Sequence, residues 1–336
     1  MDFLNALVAL TQFVIIPATT YGSQLALGAL GVTLIYGILR FSNFAHGDTM
    51  AFGTMSTILF TWWLQSMGVS FGPLPTALLA LPFGIAATSL FVIGTDRVVY
   101  RFFRAQKAAP VVFVIAAMGV MFVYNGVVRF IIGVGDQNFL DGERFILRAR
   151  DFKEWSGLRE GLTIKTSQGL TVITAVIVVA LLFWFLNKTR TGKSMRAFSD
   201  NEDLALLSGI NPERVVMVTW IIVAALATIA GTLYGLDKSF KPFTYFQLLL
   251  PIFAAAIVGG LGNPLGAIAG GFLIAFAEVT ITYPLKKVLG YLMPESLEPD
   301  GLVQLLSTDY KFAVSFVILI AVLLVKPTGL FKGQSV

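Results

Sequence analysis

Seven apolar runs set the terms for this chain. They occupy roughly residues 22–40, 44–65, 73–95, 109–132, 169–187, 216–236 and 312–326, and a helix needs about 20 mostly apolar residues to cross a bilayer. In hydrocarbon every backbone N–H and C=O must find its partner within the protein, so runs of this length predict helices and several together predict a helical bundle. An eighth region, 247–283, is largely apolar but is interrupted by Gly259, Gly260, Gly262, Asn263 and Pro264. Its first half is too short to cross comfortably and its second only just long enough, which predicts a broken hairpin of two helices. Irregular backbone at membrane depth is tolerated only where protein buries it or water reaches it. The break is therefore expected to line a pathway, or to let helices pack closely through its glycines. The expected fold is an all-α polytopic membrane protein, one transmembrane domain over 1–336, with about eight transmembrane helices including that glycine-rich hairpin. Charged residues make up 13% of the chain, about half the ~25% of a soluble domain.

The first 20 residues begin with an acid and carry no Lys or Arg before their apolar run, which does not fit a cleaved leader. They predict a retained interfacial or partly inserted helix, ended by Pro17. Orientation follows from the basic residues. Arg97, Arg101, Arg104 and Lys107 fill a short loop whose one acid is Asp96, and this marks the cytoplasmic side. Threading from there puts Arg40, the 187–215 insert, Lys326 and Lys332 on the same side, with the N-terminus outside and the C-terminus inside. The 136–168, 237–246 and 284–311 connections fall outside. The 136–168 loop holds six basic and six acidic residues; setting it aside leaves twelve basic residues inside and five outside. The formal charge of +5 thus serves topology and points to a lipid bilayer, not to nucleic acid.

Several chemistries are absent. With no Cys there are no disulfides and no thiolate nucleophile or ligand. A single His and scattered carboxylates give no metal-site pattern. Gly192-Lys193-Ser194 lacks the first glycine of a phosphate loop, since Asn187 stands there, and it follows a helix, not a strand. Gly260-Leu261-Gly262 is followed by Leu265 where a dinucleotide fingerprint needs glycine. No catalytic residue, metal or cofactor is expected on this chain, and any energy source must be another chain.

Two polar stretches interrupt the apolar pattern. The longer, NKTRTGKSMRAFSDNEDLALLSGINPERV from Asn187 to Val215, mixes charges with apolar groups. Thr191, Gly192, Lys193 and Ser194 are expected to open it as a turn. Met195, Ala197, Phe198, Leu204, Ala205, Leu206 and Leu207 then supply the apolar groups of a short helix that docks sideways on another protein, and Gly209, Asn211 and Pro212 end it. The alternative is a solvated loop whose charges only fix topology. The shorter stretch, Arg40 to Asp48, puts Arg40, Asn43, His46 and Asp48 at a tight joint between two apolar helices. It reads either as part of a translocation route or hinge, or as a helix start capped by Ser42 or Asn43 with Asp48 in its first turn.

RFSNFAHGDTMAFGT resembles the NFAHG signature of the LivH-like permease subunits of branched-chain amino acid ATP-binding-cassette importers. The likeness recurs in chain order. The insert is similar to that family's coupling segment, with its spacing in Gly192, Arg196, Ala197, Ala205 and Gly209; FAAAIVGGLGNPLGAIAGGFLIAFAE resembles its glycine-rich hairpin; LLVKPTGLFKG resembles its C-terminal tail. Coverage is nearly full length, and four blocks in order are specific where one would be weak. The 136–168 loop and the residues before Tyr21 match no block.

The resemblance implies a multi-pass subunit of the cytoplasmic inner membrane that makes and breaks no bonds. Its partners would be two cytoplasmic ATPase subunits, a second related permease and an extracytoplasmic substrate-binding protein. The coupling residues would be Thr191, Gly192, Met195, Arg196, Ala197, Phe198, Asp200, Glu202, Leu204, Ala205 and Gly209. Among them Arg196, Asp200 and Glu202 would make polar contacts, and Met195, Phe198 and Leu204 would fill a groove of the ATPase. The solutes implied are branched-chain and other amino acids, short amides and urea.

For the pathway the candidates are Asn43, His46, Asn125 and Glu278, each polar within or beside an apolar run, with Gly259, Gly260, Gly262 and Asn263 of the break. Glu278 has a second reading, reaching the outer interface or pairing with Arg129. Two other function classes compete. An ion-coupled secondary transporter wants acidic residues in mid-span, and only Glu278 qualifies. An intramembrane enzyme needs a nucleophile and base or a metal cluster, and His46 has no partner pattern for either.

Overall fold

The computed structural model describes residues 2–292, 301 and 303–331. The chain begins with α1 (Asp2–Leu10) and α2 (Ile16–Leu39), joined by one π-helical turn at Thr11–Ile15. Pro17 does not end the N-terminal helix, contrary to expectation. The wider turn before it absorbs the missing proline N–H, and Pro17 sits in the first turn of α2. At about 1.5 Å per residue the continuous 38-residue helix is far longer than a ~30 Å hydrocarbon core, so it projects well beyond one.

Then follow α3 (His46–Ser66), α4 (Ala77–Thr95), α5 (Arg101–Ala105), α6 (Pro110–Ile132), α7 (Ala149–Ser156) and α8 (Thr166–Lys188). The polar insert forms α9 (Arg190–Asp200) and α10 (Glu202–Leu207), after which come α11 (Pro212–Lys238), α12 (Pro242–Gly259), α13 (Pro264–Thr282), α14 (Lys286–Leu292) and α15 (Lys311–Val325). Seven of the described helices are long and apolar enough to cross a membrane. The 21-residue α3 is not one of them. It carries Asp48, Thr49, Thr54, Ser56, Thr57 and Thr61, all buried in the protein, and from His46 to Ile58 it is enclosed by neighbouring helices, with Leu59, Trp62 and Trp63 exposed beyond. The centre of the bundle is α2, which packs on α8, α11, α12 and α13, and α3, which packs on α4, α6, α11 and α12.

The hairpin differs from its expectation in length. α12 is 18 residues, about 27 Å, and begins at Pro242, not 247. Proline is favoured in the first helical turn, so the apparent 237–246 turn shrinks to a short link in which Phe240 is wholly buried. The break is short as well: Gly260 takes φ 114, a conformation open to glycine, and Asn263 caps α13 by accepting from the N–H groups of Leu265 and Gly266.

A second π-helical turn, Asp96–Tyr100, joins α4 to α5. It turns the Asp96 carboxylate inward, where Arg104 binds it with two hydrogen bonds of 2.6 and 2.9 Å and Trp220 of α11 donates to it at 2.7 Å. Tyr100 stacks on Trp220 with ring centroids 5.4 Å apart. An acid that reads as a loop charge is therefore a rivet between α4 and α11.

At the opposite end, the loop after α6 forms a two-stranded antiparallel ribbon, β1 (Phe145–Leu147) with β2 (Ile164–Lys165), and carries α7. It is tied to α1 through Asn5, whose Oδ1 accepts from the N–H groups of Arg159 and Glu160, and to the turn after α1 through Gln12, whose Oε1 accepts from Thr163 N–H. It is tied to α14 through Glu160, which accepts from Lys287 at 2.8 Å and Tyr291 at 2.6 Å. Burial pushes the Glu160 carboxyl up, but the bonds from Lys287 and Tyr291 and the Lys287 charge outweigh it and hold the carboxyl below its ordinary range. A depressed carboxylate stabilises the fold above its unfolded value and loses that contribution as pH falls through the folded one. Amide protection of 286–292 is thus expected to be full at neutral pH and to drop below the ordinary carboxylate range of about 4. Glu160→Gln should remove this pH dependence; an unchanged profile in the variant would contradict the clamp.

Candidate functional site

The insert is two helices, not one, and its opening is helical, not a turn. Thr189 caps α9 by accepting from Gly192 N–H at 3.0 Å, and Gly192 lies so close to the end of α8 that a Cβ there would sit 2.2 Å from the Phe185 carbonyl oxygen. Asn201 is extended and caps α10 by accepting from Leu204 N–H. This break resets the helical phase, with consequences for the expected contacts. Met195 and Phe198 are 1% and 4% exposed and pack into the bundle, as does Ala205, so they are not free to fill a partner's groove. The groups that face outward are Leu204, Leu206 and Leu207, the last 85% exposed. Around them Thr191 is half-buried, and Arg196, Ala197, Asp200, Glu202 and Gly209 are exposed.

Arg40, at the end of α2, donates to the Ser199 carbonyl and so fastens α9 to the bundle. A cavity of about 750 Å³ opens between α2, α8, α9 and the start of α13, with Gly37, Asn187, Arg196, Asp200 and Asn263 in its wall. The glycine break therefore lies at this face of the protein. The chain's tail closes over it: Leu330 and Phe331 N–H donate to the Val258 and Gly259 carbonyls, and Asn263 Nδ2 donates to the Phe331 carbonyl at 2.7 Å. Those bonds satisfy carbonyls that the end of α12 would leave open.

The joint between α2 and α3 is non-helical from Arg40 to Ala45, with Phe41, Asn43 and Ala45 buried and Arg40 exposed. Asn43 does not cap α3; its Oδ1 accepts from Ala45 N–H and, at 3.3 Å, from the Tyr100 hydroxyl. His46 is wholly buried with its ring against Gly31, where a Cβ would lie 2.5 Å from His46 Cε1. Asp48 is equally buried and accepts from Asn125 Nδ2 at 2.8 Å. Glu278 lies elsewhere: it is buried, and its partner is Ser315 of α15, not Arg129. The candidate pathway residues thus fall in three places: Asn43, His46, Asp48 and Asn125 around the joint; Gly259, Gly260, Gly262 and Asn263 at the insert's face; and Glu278 under α15.

Sequence reasoning passed over a set of buried hydroxyls between α3 and α11. Thr232 approaches Thr57 at 3.4 Å, and Thr54, Thr61 and Thr228 are wholly buried. Each of Thr54, Thr57 and Thr61 bonds the carbonyl four residues back. Their recurrence along α3 was the available signal.

The family described as branched-chain amino acid transport system, permease component, matches residues 14–323. The chain belongs to that family. The permease is 31% identical over 323 residues to the high-affinity branched-chain amino acid transport system permease protein LivH of Escherichia coli, covering 94% of each chain. It is 30% identical over 320 residues to BraD of Pseudomonas aeruginosa, again covering 94% of each, and 28% identical over 328 residues to a probable LivH of Methanocaldococcus jannaschii, covering 93% of this chain and 90% of that one. Among solved structures, a putative metal-chelate type ABC transporter in an inward-facing conformation gives a TM-score of 0.46 at 14% identity over 94% of this chain and 88% of that one, too distant to lend any geometry. The permease is therefore a multi-pass transport subunit of the cytoplasmic membrane, not an enzyme, and it works with ATP-hydrolysing and solute-binding components carried on other chains.

Proposed function

We propose that this permease forms the inward path for branched-chain or closely related amino acids, with its N-terminus outside, its C-terminus in the cytoplasm and α9–α10 as the lever worked by a pair of ATPase subunits. The observation that carries the reading is the outward row of Leu204, Leu206 and Leu207 on a helix pair rooted in the bundle by Met195, Phe198 and Ala205. An exposed apolar patch rimmed by charge marks a protein contact, and a rigidly seated one passes motion to what seats it. On this reading ATP binding closes the ATPase pair, α9–α10 moves with it, and the bundle around the Arg40–His46 joint changes between outward and inward openings. A related permease completes the unit.

The outer face favours a zwitterionic solute. A cavity of about 460 Å³ there has Arg144, Lys165, Ser167 and Asp237 in its wall, offering cations to a carboxylate and a carboxylate to an ammonium group. Vesicles holding the permease with its ATPase, second permease and binding protein are expected to take up leucine only with ATP. Uptake of urea or short amides in its place would reassign the solute. Uptake by this chain alone, driven by an ion gradient, would make it a secondary transporter and overturn the reading.

A further inference from the structure

Between the α4–α5 junction and the start of α11 lies a cavity of about 410 Å³ that coupling does not use. Arg97, Arg101 and Arg214 all reach its wall, together with Asp96 and Glu213. The apolar part of the wall is formed by Ile93, Met217 and Trp220.

Its charge is not balanced from within. The Asp96 carboxylate is taken up by Arg104 and Trp220. Glu213 stands 3.6 Å from Arg101, but both side chains are 57% exposed and such a pair is weak. Among the described residues neither Arg97 nor Arg214 has an ion-pair partner. Arg214 also sits in the first turn of α11, beside the Asn211 cap, where the helix dipole favours negative charge, not positive. Three guanidinium groups and a helix start converge on one space, an arrangement that an anion relieves.

The apolar side says which anion. Met217, in the cavity wall, is half-exposed, and Val98 and Phe102, next in the chain to Arg97 and Arg101, are 79% and 56% exposed, so exposed apolar groups neighbour the basic ones. A soluble anion needs no such flank, whereas a lipid has a phosphate and acyl chains joined in that order. The geometry points to a binding site for the phosphate of an anionic phospholipid headgroup, held by Arg97 and Arg214 with its chains leaving past Met217. Basic pockets between helices at a membrane face bind such headgroups. The proposal does not depend on which face is cytoplasmic.

Native mass spectrometry of the purified transporter, loaded with dioleoyl phosphatidylglycerol or dioleoyl phosphatidylcholine, tests it. The permease is expected to retain phosphatidylglycerol preferentially. Arg97→Gln with Arg214→Gln should weaken that retention by roughly 25-fold, at roughly fivefold per basic group near a membrane surface. Arg97→Lys with Arg214→Lys should keep most of it, and Arg150→Gln on α7 should change nothing. Equal retention of the two lipids would overturn the site, as would displacement of the lipid by an equal concentration of inorganic phosphate, which would assign a free anion. Unchanged lipid retention with loss of the ATPase chains from the double glutamine variant would assign the pocket to a protein contact and likewise overturn it.

Discussion

Leucine in place of Gly270 is expected to leave little folded permease. Gly270 faces α12, and a Cβ there would lie 2.1 Å from the Ala255 carbonyl oxygen and 3.0 Å from the Gly259 nitrogen. Both are backbone atoms in helices, so neither can swing aside as a side chain can. The approach is reciprocal: a Cβ on Gly259 would meet the Gly266 carbonyl at 2.0 Å. In a bilayer, where lipid tails remove most of the hydrophobic drive between helices, such close approach is a main source of helix association. Overpacking costs about 1–3 kcal/mol even where side chains can give; with backbone on both sides the loss should be at the upper end, about 3 kcal/mol. The variant should melt well below wild type in detergent and elute as aggregate. Gly119→Ala and Gly126→Ala, with nothing near the added carbon, should elute as wild type does. A Gly270→Leu protein as stable as wild type would mean that α12 and α13 are not packed through this face.

The second large effect falls on activity and spares the fold. Leu204 and Leu207 are 61% and 85% exposed, so replacing both with aspartate removes nothing from the core. If α10 seats in an ATPase groove, two charges there remove apolar contacts worth about 2 kcal/mol or more at an interface centre, and uptake should fall at least about tenfold, since 1.4 kcal/mol is a factor of ten. The melting temperature should stay within a degree or two of wild type, because surface changes of this kind stay within about 0.5 kcal/mol. Met195→Asp should do the reverse, collapsing the protein before transport is at issue, since it places a charge in a fully packed site. Wild-type uptake by the double aspartate variant would remove α10 from the mechanism.

The contrast between Met195 and Leu207 shows where the sequence stops being legible. Apolar length made the bundle readable, because a bilayer admits few solutions. The insert's existence was equally plain. Its inner and outer faces were not, because Asn201 resets the helical phase and periodicity carries no signal across such a break. The start of α12 was misplaced for a related reason: Lys241-Pro242-Phe243-Thr244 has turn composition, yet Pro242 begins a helix. Asp96 read as a loop charge and Glu278 as a pathway residue or an interface charge, and their partners, Trp220 and Ser315, lie too far along the chain for spacing to reveal. The threonines of α3 were passed over because single hydroxyls lower apolarity without announcing a role. NFAHG, by contrast, drew attention to a joint that proves to be irregular, partly buried backbone leading into the buried His46 at the start of α3.

The most direct test of the coupling lever is a photo-crosslinking amino acid placed at Leu207 in the assembled transporter, with Trp155 of α7 as the position on the opposite end. Irradiation should join Leu207 to an ATPase subunit and Trp155 to no ATPase. An adduct between position 207 and the solute-binding component, or an ATPase adduct at 155, would turn the permease upside down in the membrane and contradict the account.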